Sequence, residues 1–311
     1  MLSADHTAMG EFDLIKTYFT GLDFGNNIEL GVGDDAALLR VPEGECLVVS
    51  VDTAVAGVHF SDHTLPEVIA YRSIASALSD LAAMGAKPLG MTLALTLPEQ
   101  DEWWLRSFSE GITQAVYAFD CPLVGGDTTK GPLCISITVH GAVTSDKALK
   151  RSGAKLGDLI CVSNTLGDSG AGLALELGEI DVANESDYQH LHDAWCYPQA
   201  QLTLGSELAG VATSCIDISD GLLADLNHIL KASGVGAQLV SSQIPLSQAL
   251  IDSVGPDRAL ELALHAGEDY QLCFTLPANI TPPKTCTVIG VIGSERALTL
   301  DGKPIHAAGF T

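Results

Sequence analysis

The chain has 311 residues, 47% of them apolar, and 15 basic against 39 acidic side chains give it a net charge of −24. That length accommodates two domains with a core each. A charge so negative offers no electrostatic footprint for a nucleic-acid backbone or an anionic membrane surface. Anions are therefore repelled or handled through bound cations, and a solubilising acidic surface accounts for much of the excess. No apolar run approaches the ~20 residues needed to span a bilayer, and no basic stretch followed by an apolar core opens the chain, so the expected localisation is cytoplasmic. The eight cysteines (Cys46, Cys121, Cys134, Cys161, Cys196, Cys215, Cys273 and Cys286) contain no CxxC pair, and several sit in apolar runs. Buried reduced thiols are expected rather than disulfides or a zinc site.

In chain order, short β-rich runs alternate with helical stretches. "ECLVVSVDT" (45–53) reads as a strand. A helix follows in "LPEVIAYRSIASALSDLAAMGAKP", where Pro66 suits the first turn, Val68, Ile69, Ile74, Ala77, Leu78 and Leu81 recur at helical spacing, and Gly85 is a natural stop. "LGMTLALTLP" (89–98) is a strand, 101–119 a helix, and "PLVGGDTT" (122–129) and "PLCISITVHGAV" (132–143) are strands. A polar Lys/Ser/Gly segment near 147–156 is the expected domain boundary, giving domains 1–148 and 149–311. The pattern then restarts. "DLICVSN" is a strand, "GDSGAGLALELG" a turn into a helix, "ATSCIDIS" a strand, and "DGLLADLNHILKASG" an amphipathic helix with Leu222, Leu223, Leu226, Ile229 and Leu230 on one stripe. "LALHAGEDYQLCFTLP" and "TCTVIGVIG" are expected as further strands. The fold class is α/β (α+β), with two halves of similar size.

Acidic residues recur where extended apolar runs meet Gly-rich or polar turns: Asp34 and Asp35 in "GVGDDAALL", Asp52 in "VVSVDT", Asp127 in "VGGDTT", Asp217 and Asp220 in "IDISDG". Asp80 lies instead in the small-residue helix "ASALSDLAAMG". Burying an unpartnered carboxylate costs several kcal/mol, and few Arg or Lys lie nearby in sequence. A hard divalent cation resolves this, and Mg²⁺ suits a few carboxylates together with substrate phosphates. Any one of these aspartates is equally at home as a turn former or N-cap; their number favours the cation. Gly125 and Gly126 before Asp127 let backbone N–H groups approach a phosphate. Ser219 and Asp220 open the 220–232 helix, whose first N–H groups are expected to be open to phosphate oxygen. Phosphate and divalent metal together are the requirements of phosphoryl transfer.

Other motifs are missing. There is no GxxxxGK[ST], "GVGDDA" lacks the third glycine of a dinucleotide fingerprint, and His59 and His63 lack the glutamate of HExxH. "DISDG" is too short for a calcium loop, and Ser169 in "GDSGAG" is expected in the first turn of a helix.

"GEFDLI", "GVGDDAALL", "VSVDTAVAGVHF", "SDLAAMGAKP", "VGGDTTKGPL", "RSGAKLGD", "IDISDGLLADL" and "HAGEDYQLCFT", in this order, resemble the thiamine-monophosphate kinase family over nearly the whole chain. The resemblance implies a two-domain aminoimidazole ribonucleotide synthetase-like fold with mixed sheets flanked by helices. It implies ATP-dependent phosphorylation of thiamine monophosphate to thiamine diphosphate and a homodimer formed through the N-terminal halves. By similarity, Mg²⁺ ions would be held by Asp35, Ser50, Asp52, Asp80, Asp127, Asp217 and Asp220. ATP would contact Gly126, Asp127, Arg151 and Ser219. His59, Glu268 and Phe310 would contact the thiamine substrate. The family often has Ser or Thr where this chain has Val51, so a metal contact there would use the backbone carbonyl or a water. The acceptor phosphate, with a second pKa near about 6, is its own nucleophile, in keeping with the lack of a convincing Ser–His or Cys–His pair. Two alternatives stand beside this: another ATP-dependent enzyme of the superfamily with a different small phosphate or amide substrate, or a non-catalytic metal- or nucleotide-binding protein that keeps the fold. The second would be expected to have lost some of the aspartates.

Overall fold

The computed structural model describes residues 10–306. The chain divides into two units, one drawn from Met1–Glu43, Val49–Ala77 and Pro88–Ala142, the other from Gly44–Val48, Leu78–Lys87 and Val143–Thr311.

The first unit opens with α1 (Glu11–Tyr18) and an antiparallel pair, β1 (Ile28–Leu30) with β2 (Leu38–Leu39). Next come β3 (Glu45–Val55), α2 (Pro66–Ala83), β4 (Lys87–Leu97), α3 (Glu102–Phe119), β5 (Leu123–Lys130) and β6 (Cys134–Thr144). Four of these strands form a sheet in the order β3-β6-β4-β5, with β4 and β5 parallel. Along β6 every second residue, Ile135, Ile137 and Val139, is buried, while Ser136, Thr138 and His140 are half-buried. Alternation of this kind means one covered face and one more open face. Thr53 Oγ1 lies 2.8 Å from Ser136 Oγ, which assigns the odd-numbered residues of β3 to the open face, and Val49 and Val51 are exposed there. Ser50 and Asp52 point the other way. Val51 thus faces away from Asp52, and the residue type at 51 has no direct bearing on that carboxylate.

Pro66 begins α2, where its fixed φ and missing N–H are tolerated. The helix is apolar on most sides and correspondingly buried, with Ile74, Ala75, Ala77, Leu78 and Leu81 all nearly inaccessible. Its last turns, from Leu78, belong to the second unit. Asp101 caps α3 by accepting from the N–H groups of Trp103 and Trp104 at 2.8 and 3.0 Å. Gly111 lets α3 pack on the backbone of Glu67 in α2, since a Cβ there would stand 2.2 Å from the Glu67 carbonyl oxygen.

The second unit contains β7 (Leu159–Ser163), α4 (Asp168–Glu176), α5 (Glu185–Cys196), α6 (Leu202–Leu208), β8 (Ser214–Asp217), α7 (Leu222–Ser233) and β9 (Gly236–Leu239). It continues through α8 (Gln248–Val254), α9 (Pro256–His265), β10 (Leu272–Leu276), β11 (Cys286–Gly293), β12 (Leu298–Leu300) and β13 (Lys303–Pro304). Its seven-stranded sheet runs β13-β12-β9-β11-β7-β10-β8, mainly antiparallel, with β12 parallel to β9. Both faces are covered. Ile160 and Val162 join a core with Leu222, Leu223, Leu226 and Ile229 of α7. Cys161 and Phe274 join another with Leu204 and Leu208 of α6 and Ala82 and Ala83 of α2.

Two expectations change. The run 262–277 is a strand only at Leu272–Leu276, and its first four residues complete α9. Pro256 at the start of that helix, with Ala259, Leu262 and Ala263 buried at helical spacing, outweighs the extended look of "LALH". Asp52 and Asp127 lie inside strands rather than at their ends, because Thr53, Thr128 and Thr129 carry the pairing onward. All eight cysteines are free, five of them buried and Cys46 exposed. Among the described residues, no helix is long and apolar enough to cross a membrane.

Candidate active site

In the first unit Asp35, Gly126 and Asp127 line a cavity of about 620 Å³. The loop 31–37 between β1 and β2 and the middle of β5 form its polar walls, and Ile15, Phe19, Leu93 and Leu123 contribute apolar surface. Gly126 is in close register with β4, and an added Cβ would stand 2.0 Å from the Leu93 carbonyl oxygen. The Asp35 N–H donates to Asp34 Oδ1 at 2.8 Å, which ties the Asp34 carboxylate to the loop.

Ser50, Asp52 and His59 are outside that lining. Asp52 is fixed through both oxygens: the Thr53 N–H donates to Oδ1 at 2.8 Å and the Ser76 hydroxyl of α2 to Oδ2 at 2.6 Å. His59 Nδ1 accepts from the Val55 N–H at 3.1 Å, which leaves Nε2 to carry the proton of the neutral ring.

The second unit gathers Asp80, Asp217, Ser219, Asp220 and Glu268. Asp217 ends β8 almost fully buried, and the Ser79 hydroxyl donates to its Oδ2 at 2.8 Å. Burial, and then the negative charge of Asp80, push the Asp217 carboxyl up to about 6, while the Ser79 hydroxyl and the charge of Arg151 act in the opposite direction. Arg151 is exposed, in the loop before β7.

The turn after β8 is organised differently from the sequence expectation. Helix α7 starts at Leu222, and the N–H groups of Ser219 and Asp220 donate to Asp225 Oδ2 at 3.0 and 2.9 Å. Those N–H groups are committed to a carboxylate within the chain, so a phosphate contact at Ser219 falls to its hydroxyl. Burial pushes the Asp225 carboxyl up to about 7, against the pull of those two donors. Asp225 was not singled out from sequence; an acid five residues beyond "SD" in the first turn of a helix is its only signal.

A second loop, 266–271, lies against this turn. The Glu268 N–H donates to the Ser219 carbonyl at 2.8 Å and the Tyr270 N–H to the Ile218 carbonyl at 2.9 Å. Glu268 and Tyr270 both have left-handed backbones, with φ of 67° and 49°, a strain of the kind that collects at functional loops. Next to them, Asp269 is buried and accepts from the N–H groups of Gly167 and Ser169 at the start of α4, at 2.9 and 3.4 Å. Its carboxyl is pushed up to about 8, chiefly by burial. Ser169 is in the first turn of α4, as its sequence predicts. A Cys–His approach exists, Cys196 Sγ to His192 at 3.4 Å, but the sulfur is buried. Phe310 lies outside the described residues.

The donor set is right for a hard divalent cation. The charge of Asp80 acts against that of Asp217, and the Ser76 and Ser79 hydroxyls donate to Asp52 and Asp217. Among the described residues no three His, Cys, Asp or Glu side chains form a ready-made cluster. Magnesium commonly takes one or two protein carboxylates and completes its shell with water and substrate phosphates.

Residues 33–143 match the family model "AIR synthase related protein, N-terminal domain", so the fold is that of an AIR synthase-related protein. The chain is 48% identical to the thiamine-monophosphate kinase of Escherichia coli K12 over 87% of its length and 83% of that protein's. It belongs to the thiamine-monophosphate kinase family. The crystal structure of the Stenotrophomonas maltophilia K279a enzyme of that name superposes with a TM-score of 0.84 at 41% identity, covering 90% of this chain and 93% of the other. AaThiL complexed with AMPPCP and TMP superposes with a TM-score of 0.81 at 33% identity, covering 97% and 96%.

Proposed function

We propose that the chain transfers the γ-phosphoryl group of ATP to the phosphate of thiamine monophosphate, releasing ADP and thiamine diphosphate. The observation that carries this reading is the likeness, across 97% of the chain, to a protein solved with an ATP analogue and TMP together. An acceptor phosphate oxygen attacks the γ-phosphorus as the bond to the β-phosphate oxygen breaks. At pH 7 that oxygen is already largely deprotonated, so no protein nucleophile or strong base is needed. Bound Mg²⁺ would neutralise charge between the two polyanions and on the transferring group.

The proposed magnesium ligands are Asp35, Ser50, Asp52 and Asp127 in the first unit and Asp80, Asp217 and Asp220 in the second. Gly126, Asp127, Arg151 and Ser219 are the proposed ATP contacts, and His59, Glu268 and Phe310 the substrate contacts. What the chain itself does is position. Ser76 and Ser79 orient Asp52 and Asp217, and Asp225 holds the backbone that carries Ser219 and Asp220. Residues 1–148 would carry metal, nucleotide and dimerisation functions, and 149–311 the further nucleotide and substrate contacts. The exposed Val49 and Val51 on edge strand β3 support a homodimer. A cytoplasmic location fits a substrate pair of this kind.

Purified protein with ATP and Mg²⁺ should form thiamine diphosphate and ADP in equal amounts from thiamine monophosphate. Turnover of a different phosphate or amide acceptor, with none of thiamine monophosphate, would reassign the substrate and leave the fold unaffected.

A further inference from the structure

Trp195 is almost completely buried in α5, and its indole N–H donates to Glu268 Oε2 at 3.3 Å. Its position is over-determined. Helix α5 packs closely on α4 through Gly172, where a Cβ would stand 2.2 Å from the Leu191 carbonyl oxygen and 2.7 Å from Trp195 Cβ. At the other end of the contact, Glu268 is held by its left-handed backbone and by its N–H bond to the Ser219 carbonyl. A half-buried carboxylate on a strained loop is thereby gripped from the backbone and from its side-chain oxygen.

We propose that Trp195 is a positioning residue that aims the Glu268 carboxylate at the cationic or N–H-donating part of the phosphate acceptor. This rests on the function proposed above. A carboxylate is poorly matched to a phosphate, whereas the acceptor's thiazolium charge and amino group are suited to it. The indole is a donor only, so it supports Glu268 as an acceptor and fixes which oxygen is turned to the protein. Trp195 acts through Glu268, and its loss should be felt as weaker acceptor binding.

The test is a double-mutant cycle of Trp195→Phe and Glu268→Ala, with KM measured separately for thiamine monophosphate and ATP and folding checked by thermal melting. Trp195→Phe should raise the acceptor KM about 5–10-fold, as expected for losing one hydrogen bond of ordinary net strength, with the ATP KM and kcat within about twofold. In the Glu268→Ala background it should add nothing. An equal penalty in that background, or no change in acceptor KM, would overturn the proposal. An independent readout needs no tryptophan variant. The chain has three tryptophans, and Glu268→Ala should move one indole N–H resonance in the ¹H–¹⁵N spectrum, the same one that moves on adding thiamine monophosphate. Indole resonances indifferent to Glu268→Ala would overturn the contact itself. If the unsubstituted protein fails to turn over thiamine monophosphate, the functional reading fails and the proposal with it, even where the resonance still moves with Glu268→Ala.

Discussion

Asp127→Asn is expected to lower kcat about 10³-fold, roughly 4 kcal/mol of transition-state stabilisation, with a melting temperature close to that of the unsubstituted protein. The two halves of this expectation have separate causes. Asp127 is exposed on β5 at the edge of the cavity, in a row of residues whose pairing is carried by the backbone. An isosteric amide there should change stability by no more than about 0.5 kcal/mol. The same substitution removes a full negative charge at the place proposed for the cation. Steady-state kinetics and a melting curve on one preparation check it. A near-normal kcat would remove Asp127 from the metal set.

Gly267→Ala should be the more damaging change to the second unit. A Cβ at 267 would stand 2.2 Å from the Ser219 carbonyl oxygen and 3.3 Å from Asp220 Cα. These neighbours are backbone atoms, so they cannot swing aside as a flexible side chain would. The strand ends β8 and β10, which carry the two loops, are paired through Leu272 and Asp217, so relief must come from the loops themselves. Overpacking of this kind costs about 3 kcal/mol, and displacement of Ser219, Asp220 and Glu268 by an ångström should lower kcat/KM about 100-fold. Thermal melting and kinetics should both register it. A variant that melts normally and works normally would show that the turn and the loop are not in such close contact.

The two outcomes correspond to what could and could not be read from the sequence. The recurring placement of the aspartates was legible, but the burial cost used to single them out applies to Asp217 alone. Asp34, Asp35, Asp127 and Asp220 are exposed, because the turns and strand that carry them face solvent, and Asp52 and Asp80 are half-buried. The four strands of the first sheet and the helices α2, α3 and α7 were legible because their apolar residues keep a clear period. Helix α5 was not. Among its twelve residues only Leu191, Trp195 and Cys196 are buried, too sparse a stripe to stand out from a polar loop. The partners of the aspartates were equally hidden. Ser76 and Ser79 look like ordinary small residues in an Ala-rich helix, and only tertiary packing turns their hydroxyls toward Asp52 and Asp217. Likewise, the N–H groups at the start of "SDGLLAD" look available to phosphate until Asp225 is found accepting from both. Local pattern located the charges; the groups that orient them come from elsewhere in the chain.

The central claim is that these carboxylates hold divalent metal with the nucleotide. Mn²⁺ can replace Mg²⁺ as a spectroscopic probe, and its free concentration can be read by electron paramagnetic resonance in the presence of ATP and the protein. The unsubstituted chain with ATP should sequester more Mn²⁺ than ATP alone, and Asp127→Asn and Asp217→Asn should each reduce that excess. An excess unchanged in both variants, or none in the unsubstituted chain, would contradict the account.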